Sequence, residues 1–244
     1  MNIRWYLIFI TLAATLLLSA CGIHIVNGSG KVVTEPRAVS DFTAVEFSGF
    51  GELTLVQGET EALTIETDDN LLPYIKTTVN GGTLTIGFDD GITVPIMRPT
   101  QSIRYQLTVK TLTHLELSGA GIVAAAQLTA DHLVLGESGV GEIKIAKLAA
   151  SEVTVNMSGA GAVQLAGQVV RQTVEMSGLG TYAAGDLASQ TAEVTLSGAG
   201  TATVWASEHL TTNLSGAGSI RYYGSPQTSA ESSGIGKLQS LGNK

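Results

Sequence analysis

Residues Val153 to Leu165 read VTVNMSGAGAVQL, and the Ser158-Gly159-Ala160-Gly161 tetrad at their centre recurs along the chain. The other copies are Ser48-Gly49-Phe50-Gly51, Ser118-Gly119-Ala120-Gly121, Ser138-Gly139-Val140-Gly141, Ser177-Gly178-Leu179-Gly180, Ser197-Gly198-Ala199-Gly200, Ser215-Gly216-Ala217-Gly218 and Ser233-Gly234-Ile235-Gly236. From Ser118 the steps between serines are 20, 20, 19, 20, 18 and 18 residues. A period this regular is the signature of stacked repeats.

Aligning the repeats on the serine exposes their pattern. One residue before it stand Leu117, Glu137, Met157, Met176, Leu196 and Leu214. Three before stand Leu115, Leu135, Val155, Val174, Val194 and Thr212. Five after stand Val123, Ile143, Val163, Tyr182, Ala202 and Ile220. Intervening columns are mostly polar, as in strands with one face buried. The tetrad glycines fall on the inward parity, which suits a chain that bends at a corner. A unit of this size cannot bury its own apolar face, but a stack of units can. The pattern therefore predicts an all-β fold, a right-handed parallel β-helix over residues 112–241, since parallel crossovers are right-handed. The last rung carries Ser232 and Ser240 at inward columns and reads as a polar cap.

Residues 41–111 also alternate. ELTLVQ (Glu52 to Gln57), ALTIET (Ala62 to Thr67), TLTIGF (Thr83 to Phe88) and Ile103 to Val109 read as strands, separated by turn signals such as Asn80-Gly81-Gly82. Leu71 to Ile75 contains Pro73 and reads as a loop or short bridging turn. The interval from Ser48 to Ser118 is 70 residues. This β-rich part either continues the repeats with longer loops or forms a sheet-like cap on the first rung.

Residues 1–20 have the form of an export leader: Arg4, an apolar run from Trp5 to Leu18, then Ser19-Ala20. The run is short of the roughly 20 residues needed to span a bilayer. Leu18-Ser19-Ala20-Cys21 resembles a bacterial lipobox, in which Cys21 becomes the lipidated first residue. Residue 22 is Gly rather than the Asp that commonly retains such proteins at the inner membrane. The resemblance implies an outer-membrane destination and leaves the side it faces open. Cys21 is the single cysteine, so no intrachain disulfide forms. Residues 21–40, with Asn27-Gly28-Ser29-Gly30 and Glu35-Pro36, read as a flexible tether to the lipid.

FTAVEFSGFGELTLVQG, then IETDDNLLPYIKTTVNGGTLTIGF, then LTHLELSGAG with its serial tetrads resemble the putative auto-transporter adhesin, head GIN domain family. That resemblance, over about residues 40 to 240, implies a β-helical exported protein, often lipid-anchored, of a kind common in Gram-negative bacteria. The family brings no established activity and no catalytic residues.

Composition narrows the function. Hydrophobic residues make up 44% of the chain and aromatics 5%, which suits a narrow aliphatic core. The formal net charge is −8, with no basic cluster, so nucleic acid is not an expected partner. No cofactor or metal is expected. His132 and His209 share a column four rungs apart, about 19 Å at strand spacing, too far to share an ion. Glu116 and Glu175 share a column three rungs apart, beyond the reach of a glycosidase pair. No tetrad serine has a histidine in fixed register to act as its base. The serines read instead as a hydroxyl column bonding along the stack. No tetrad is followed by the Lys-Ser/Thr pair of a phosphate loop. His132, Glu152 and Arg171 occupy one column on consecutive rungs and read as a surface charge ladder rather than a small site. Asp68-Asp69-Asn70 and Asp89-Asp90 read as loop punctuation rather than calcium ligands. Glu137 is the charge on an apolar column, where Gly136 suggests a local bulge; a functional carboxylate is the other reading. The expected protein is a non-catalytic envelope lipoprotein whose rigid β-helix binds a cell-surface glycan or protein. The alternatives are a self-assembling envelope scaffold and a polysaccharide-active enzyme.

Overall fold

The computed structural model describes residues 25–88 and 96–244. The leader, Cys21 and Asp89-Asp90 lie outside the described residues. The first half is built from short strands: β1 (Ile25–Asn27), β2 (Val32–Arg37), β3 (Ala44–Phe47), β4 (Phe50–Gln57), β5 (Ala62–Asp68), β6 (Ile75–Asn80), β7 (Thr83–Phe88), β8 (Ile96–Arg98) and β9 (Arg104–Val109). A 3-10 turn at Leu72–Tyr74 holds Pro73. After β10 (His114–Leu117), β11 (Ala120–Ala125) and β12 (Leu128–Glu137) the strands lengthen. They are β13 (Glu142–Met157), β14 (Ala162–Met176), β15 (Thr181–Leu196) and β16 (Thr201–Leu214). β17 (Ser219–Tyr223), β18 (Gln227–Ser232) and β19 (Lys237–Ser240) close the chain.

The long strands wrap a parallel β-helix. Val155 pairs with Leu135 on one side and Val174 on the other, and Val163 pairs with Ile143 and Tyr182. Equivalent residues thus stack in columns, and the apolar columns form one continuous core, buried from Phe42 to Ile220. A third set of pairs, Leu128 with Leu148 and Leu148 with Gly167, makes a further side of each rung. This third side absorbs the uneven repeat length. Register shifts lie between Ile145 and Leu148, and between Ala183 and Ala188, whereas the strands on either side of each tetrad stay in step. Gly167, at φ 128°, takes up the first slip.

The tetrad glycines are explained by stacking rather than by bending. From Gly119 onward none of them has positive φ. A Cβ on Gly159 would stand 2.8 Å from the Ser138 carbonyl carbon and still closer to the Gly139 oxygen. Gly139, Gly178, Gly198, Gly216 and Gly234 each face the glycine carbonyl of the preceding rung in the same way. The residue between the two glycines points outward, so Val140, Leu179 and Ile235 are exposed and that position is free to vary.

The segment before residue 112 both continues the helix and caps it. β3 and β4 form a rung that lies directly against β10 and β11 in parallel register. On its other side the same rung pairs in parallel with β7 and β9. Antiparallel strands then close the end: β6 on β7 through Asn80-Gly81-Gly82, and β5 on β9 with β2 outermost. Pro36 sits on the edge strand β2, where a missing N–H costs no ladder bond. Ile25–Asn27 and Val32–Arg37, expected in the tether, are therefore paired strands. The reason is Asp68, whose buried carboxylate accepts from the Gly30 amide (2.7 Å), the Thr100 amide (2.8 Å) and the Thr100 hydroxyl (2.8 Å). Asn70 accepts from the Ser29 amide and donates to the Asn27 carbonyl. The Asp68-Asp69-Asn70 turn is a clasp for the N-terminal segment, with Lys31 and Ser29 on Asp69.

Candidate functional site

The tetrad corner and the column two residues before it border a shallow groove of about 350 Å³. Ser138, Ser158, Ser177 and Ser197 run along one side, with Asn156, Glu175 and Thr195 along the other. Each rung contributes the same pair of positions, because the registers Asn156 to Glu175 and Glu175 to Thr195 are unbroken. The groove therefore repeats hydroxyl, amide and carboxylate groups at the rung spacing, about 4.8 Å. Met157 and Met176 line it from the core side. The serines do not bond to one another as a simple column. Ser48 and Ser197 donate to the carbonyls of Ile86 and Met176 on the neighbouring rung, and Ser138 donates to Glu116 at 2.7 Å.

Glu137 closes one end of this groove. Its column is occupied by Leu117 below and Met157 above, and the register through Gly136 and Glu137 is continuous. There is no bulge. Gly136 lies under the Glu116 carboxylate, whose flexible end would have to move aside for a Cβ there. Glu137 stays on the inward column, 1% exposed; the Gly161 backbone amide stands near its carboxyl, but neither oxygen makes a well-formed hydrogen bond. Burial pushes its carboxyl above the ordinary glutamate value; the Gly161 amide offsets part of this and the Glu116 charge adds to it. The acid is thus held protonated in the fold at pH values where the unfolded chain ionises it. Stability falls as pH rises from the ordinary value of 4.5 toward the raised one. Glu137→Met, the residue its column uses at 157 and 176, is expected to stabilise the protein by about 1–3 kcal/mol at pH 7, the scale of a buried unsatisfied group. Thermal melts at pH 4 and pH 7 check this. The gain should shrink at pH 4, and a variant less stable than the parent at pH 7 would contradict it.

The remaining predicted residues are placed as follows. His132, Glu152, Arg171, Thr191 and His209 do share one column across five strands. His132 contacts Glu152 at 3.2 Å and its neighbour Asp131 at 3.3 Å, all at the surface. Glu116 and Glu175 are on one column, as predicted, separated by Gly136 and Asn156. Among the described residues no three His, Cys, Asp or Glu side chains gather as a metal site. No helix among them is long and apolar enough to cross a membrane. A second groove, about 370 Å³, lies on the third side between Ala150, Val170, Gln190, Ser207 and Trp205. It lies on the side where the repeat length varies, so its rows do not follow from counting residues along the repeat.

The profile of the putative auto-transporter adhesin, head GIN domain family matches residues 41–226. Among solved structures, a putative adhesin from Bacteroides fragilis superposes with a TM-score of 0.82 at 26% identity, over 88% of this chain and 100% of the other. A putative lipid binding protein from Parabacteroides distasonis has a TM-score of 0.76 at 24% identity, over 89% of this chain and 99% of the other. A putative adhesin from Parabacteroides merdae has a TM-score of 0.65 at 22% identity, over 89% and 99%. The last two show the fold. No curated protein matches the chain.

Proposed function

The chain belongs to the putative auto-transporter adhesin, head GIN domain family, and from that premise we propose that it is a non-catalytic adhesion module of the cell envelope. In this reading Cys21 carries a lipid that holds it at the outer membrane. The binding element is the corner groove, and the occupant is an extended, hydroxyl-rich polymer such as a cell-surface glycan. The observation that carries the reading is the ladder of Ser, Asn, Glu and Thr side chains along the groove. Such a ladder offers donors and acceptors in a straight row at rung spacing. A rigid, continuous core holds the row, so little ordering cost is added on binding.

One experiment tests the reading. Bacterial cells expressing the full chain, the Cys21→Ser chain, or the Asn156→Ala/Glu175→Ala chain are fractionated and the proteins screened against envelope polysaccharides. The parent should partition with the outer membrane and bind at least one polymer. Cys21→Ser should leave the membrane fraction with binding intact. The double variant should keep its melting temperature and lose binding by about tenfold, the scale of one or two hydrogen bonds. A parent that binds no polymer, or a double variant that binds as the parent does, would overturn the groove assignment.

A further inference from the structure

The third side of the solenoid carries a feature independent of the corner groove. Where β15 meets β16 the register slips between Ala183 and Ala188, leaving Gly185 and Asp186 in the slipped stretch. Trp205 of β16 and Tyr223 of β17 are direct register partners beside it. The Tyr223 ring lies over Gly185, where a Cβ would be 3.0 Å from the ring edge. Into this corner comes the ammonium of Lys244. It lies 4.7 Å from the Tyr223 ring centroid and 5.7 Å from that of Trp205. It donates to the Gly185 carbonyl at 2.7 Å and pairs with the Asp186 carboxylate. Two aromatic faces, a carboxylate and a carbonyl acceptor are the elements of an ammonium receptor.

The receptor is held from beneath by a polar cluster within the core. The Trp205 carbonyl accepts from Ser189 Oγ (2.6 Å) and from Gln172 Nε2 (3.3 Å). Gln172 also donates to Ser189 (2.9 Å) and accepts from the Tyr182 hydroxyl (3.1 Å). Gln172, Ser189 and Tyr182 are all buried, so their mutual bonds fix the backbone that presents the indole. The segment bearing Lys244 is fastened more lightly. It is laid on by the Leu241 amide to the Tyr222 carbonyl, the Gly224 amide to the Gly242 carbonyl, and the Ser225 hydroxyl to Asn243.

We propose that Trp205, Tyr223, Asp186 and the Gly185 carbonyl form a binding site for a lysine side chain of another polypeptide, which Lys244 fills in cis. The ligand is a primary ammonium, because the Gly185 carbonyl needs an N–H that a quaternary ammonium lacks. A lysine fits because the occupant already there is one. The groove that shares Trp205 offers Ala150, Val170 and Gln190 to the chain carrying that lysine. Lifting the 241–244 segment exchanges the internal lysine for an external one, so the internal lysine sets the apparent affinity.

The sequence supplies the reporter. The chain has two tryptophans, Trp5 and Trp205, so the full chain carrying Trp5→Phe reports Trp205 alone. Its emission is titrated with Nα-acetyl-lysine methylamide at constant ionic strength, with Lys244 present or replaced by alanine. The Lys244→Ala chain should show a saturable change, with half-saturation at least about fivefold below that of the Lys244 chain, in keeping with competition from a tethered ligand. Adding Asp186→Asn, a surface substitution, should abolish the saturation without changing the melt. Nα-acetyl-norleucine methylamide, which keeps the alkyl chain without the ammonium, and tetramethylammonium chloride should give no saturable change. The assignment is overturned by a flat titration of the Lys244→Ala chain, by equal half-saturation with and without Lys244, or by an equal response to either control.

Discussion

Valine in place of Gly159 lowers the melting temperature by about 6–12 °C, from a cost of about 3 kcal/mol for overpacking against a backbone that has no rotamer to yield. The Cβ would press on the Gly139 carbonyl and stand 2.8 Å from the Ser138 carbonyl carbon. Both atoms belong to the neighbouring rung's main chain, so relief requires the rungs to separate and the bonds Ser158 to Glu137 and Ala160 to Gly139 to lengthen. Ala160→Val is the matched control. That side chain points outward, as the exposed Val140 does in the preceding rung, and the substitution should be neutral within about 0.5 kcal/mol. Differential scanning calorimetry of the two variants decides the matter. Equal melting temperatures would mean that rung contact is not what the glycine serves.

Asp68→Ala is expected to release the N-terminal segment. The substitution strands the Gly30 and Thr100 amides, at a cost of about 2–4 kcal/mol for two donors to a charged acceptor. The effect is local, so its clearest measure is hydrogen exchange. The amides of β2 should lose protection while those of β13 to β15 keep theirs. Burial would by itself raise the Asp68 carboxyl, but the Thr100 amide and hydroxyl and the Gly30 amide outweigh it and hold it below the ordinary value of 3.8. A depressed folded value means that the stabilisation is complete above the ordinary carboxylate range and drains away as pH falls through the folded value. The parent and Asp68→Ala should therefore differ most at neutral pH and converge in strong acid. An undiminished difference below pH 2, or β2 exchange unchanged by the substitution, would contradict the clasp.

The repeat was legible from its columns. Leu135, Val155 and Val174 pair as the alignment on the serine requires, and the His132–Glu152–Arg171 ladder stands where the register puts it. What spacing leaves undetermined is which strands meet across a long insertion. β6 has few apolar residues because it is the edge of a hairpin, so its pattern is weak although its turn was marked by Asn80-Gly81-Gly82. β2 reads as linker because a Pro and several polar residues suit an edge, and its partner Asp68 is 36 residues from Val32. The ammonium corner escaped for a related reason. Trp205 and Tyr223 share a column eight residues after their serines, but Asp186 lies where the β15–β16 register slips, so counting from the tetrad does not bring it to them. The column residue that could have led there is Gln172, polar at a position filled by Leu133, Val153 and Ala192 in neighbouring rungs.

The placing of β3 and β4 between β7–β9 and β10–β11 dictates the order in which the chain assembles. Rungs after residue 112 close loops of 18 to 20 residues, so they can nucleate locally and wind on one another. The first rung to be synthesised has no such route. Its nearest neighbours in space lie about 40 to 70 residues downstream, and contacts of that range form slowly. The N-terminal end thus waits with Phe42, Val45 and Phe47 uncovered until the later strands arrive. A chain synthesised from its N-terminus therefore presents its first rung early and completes it late.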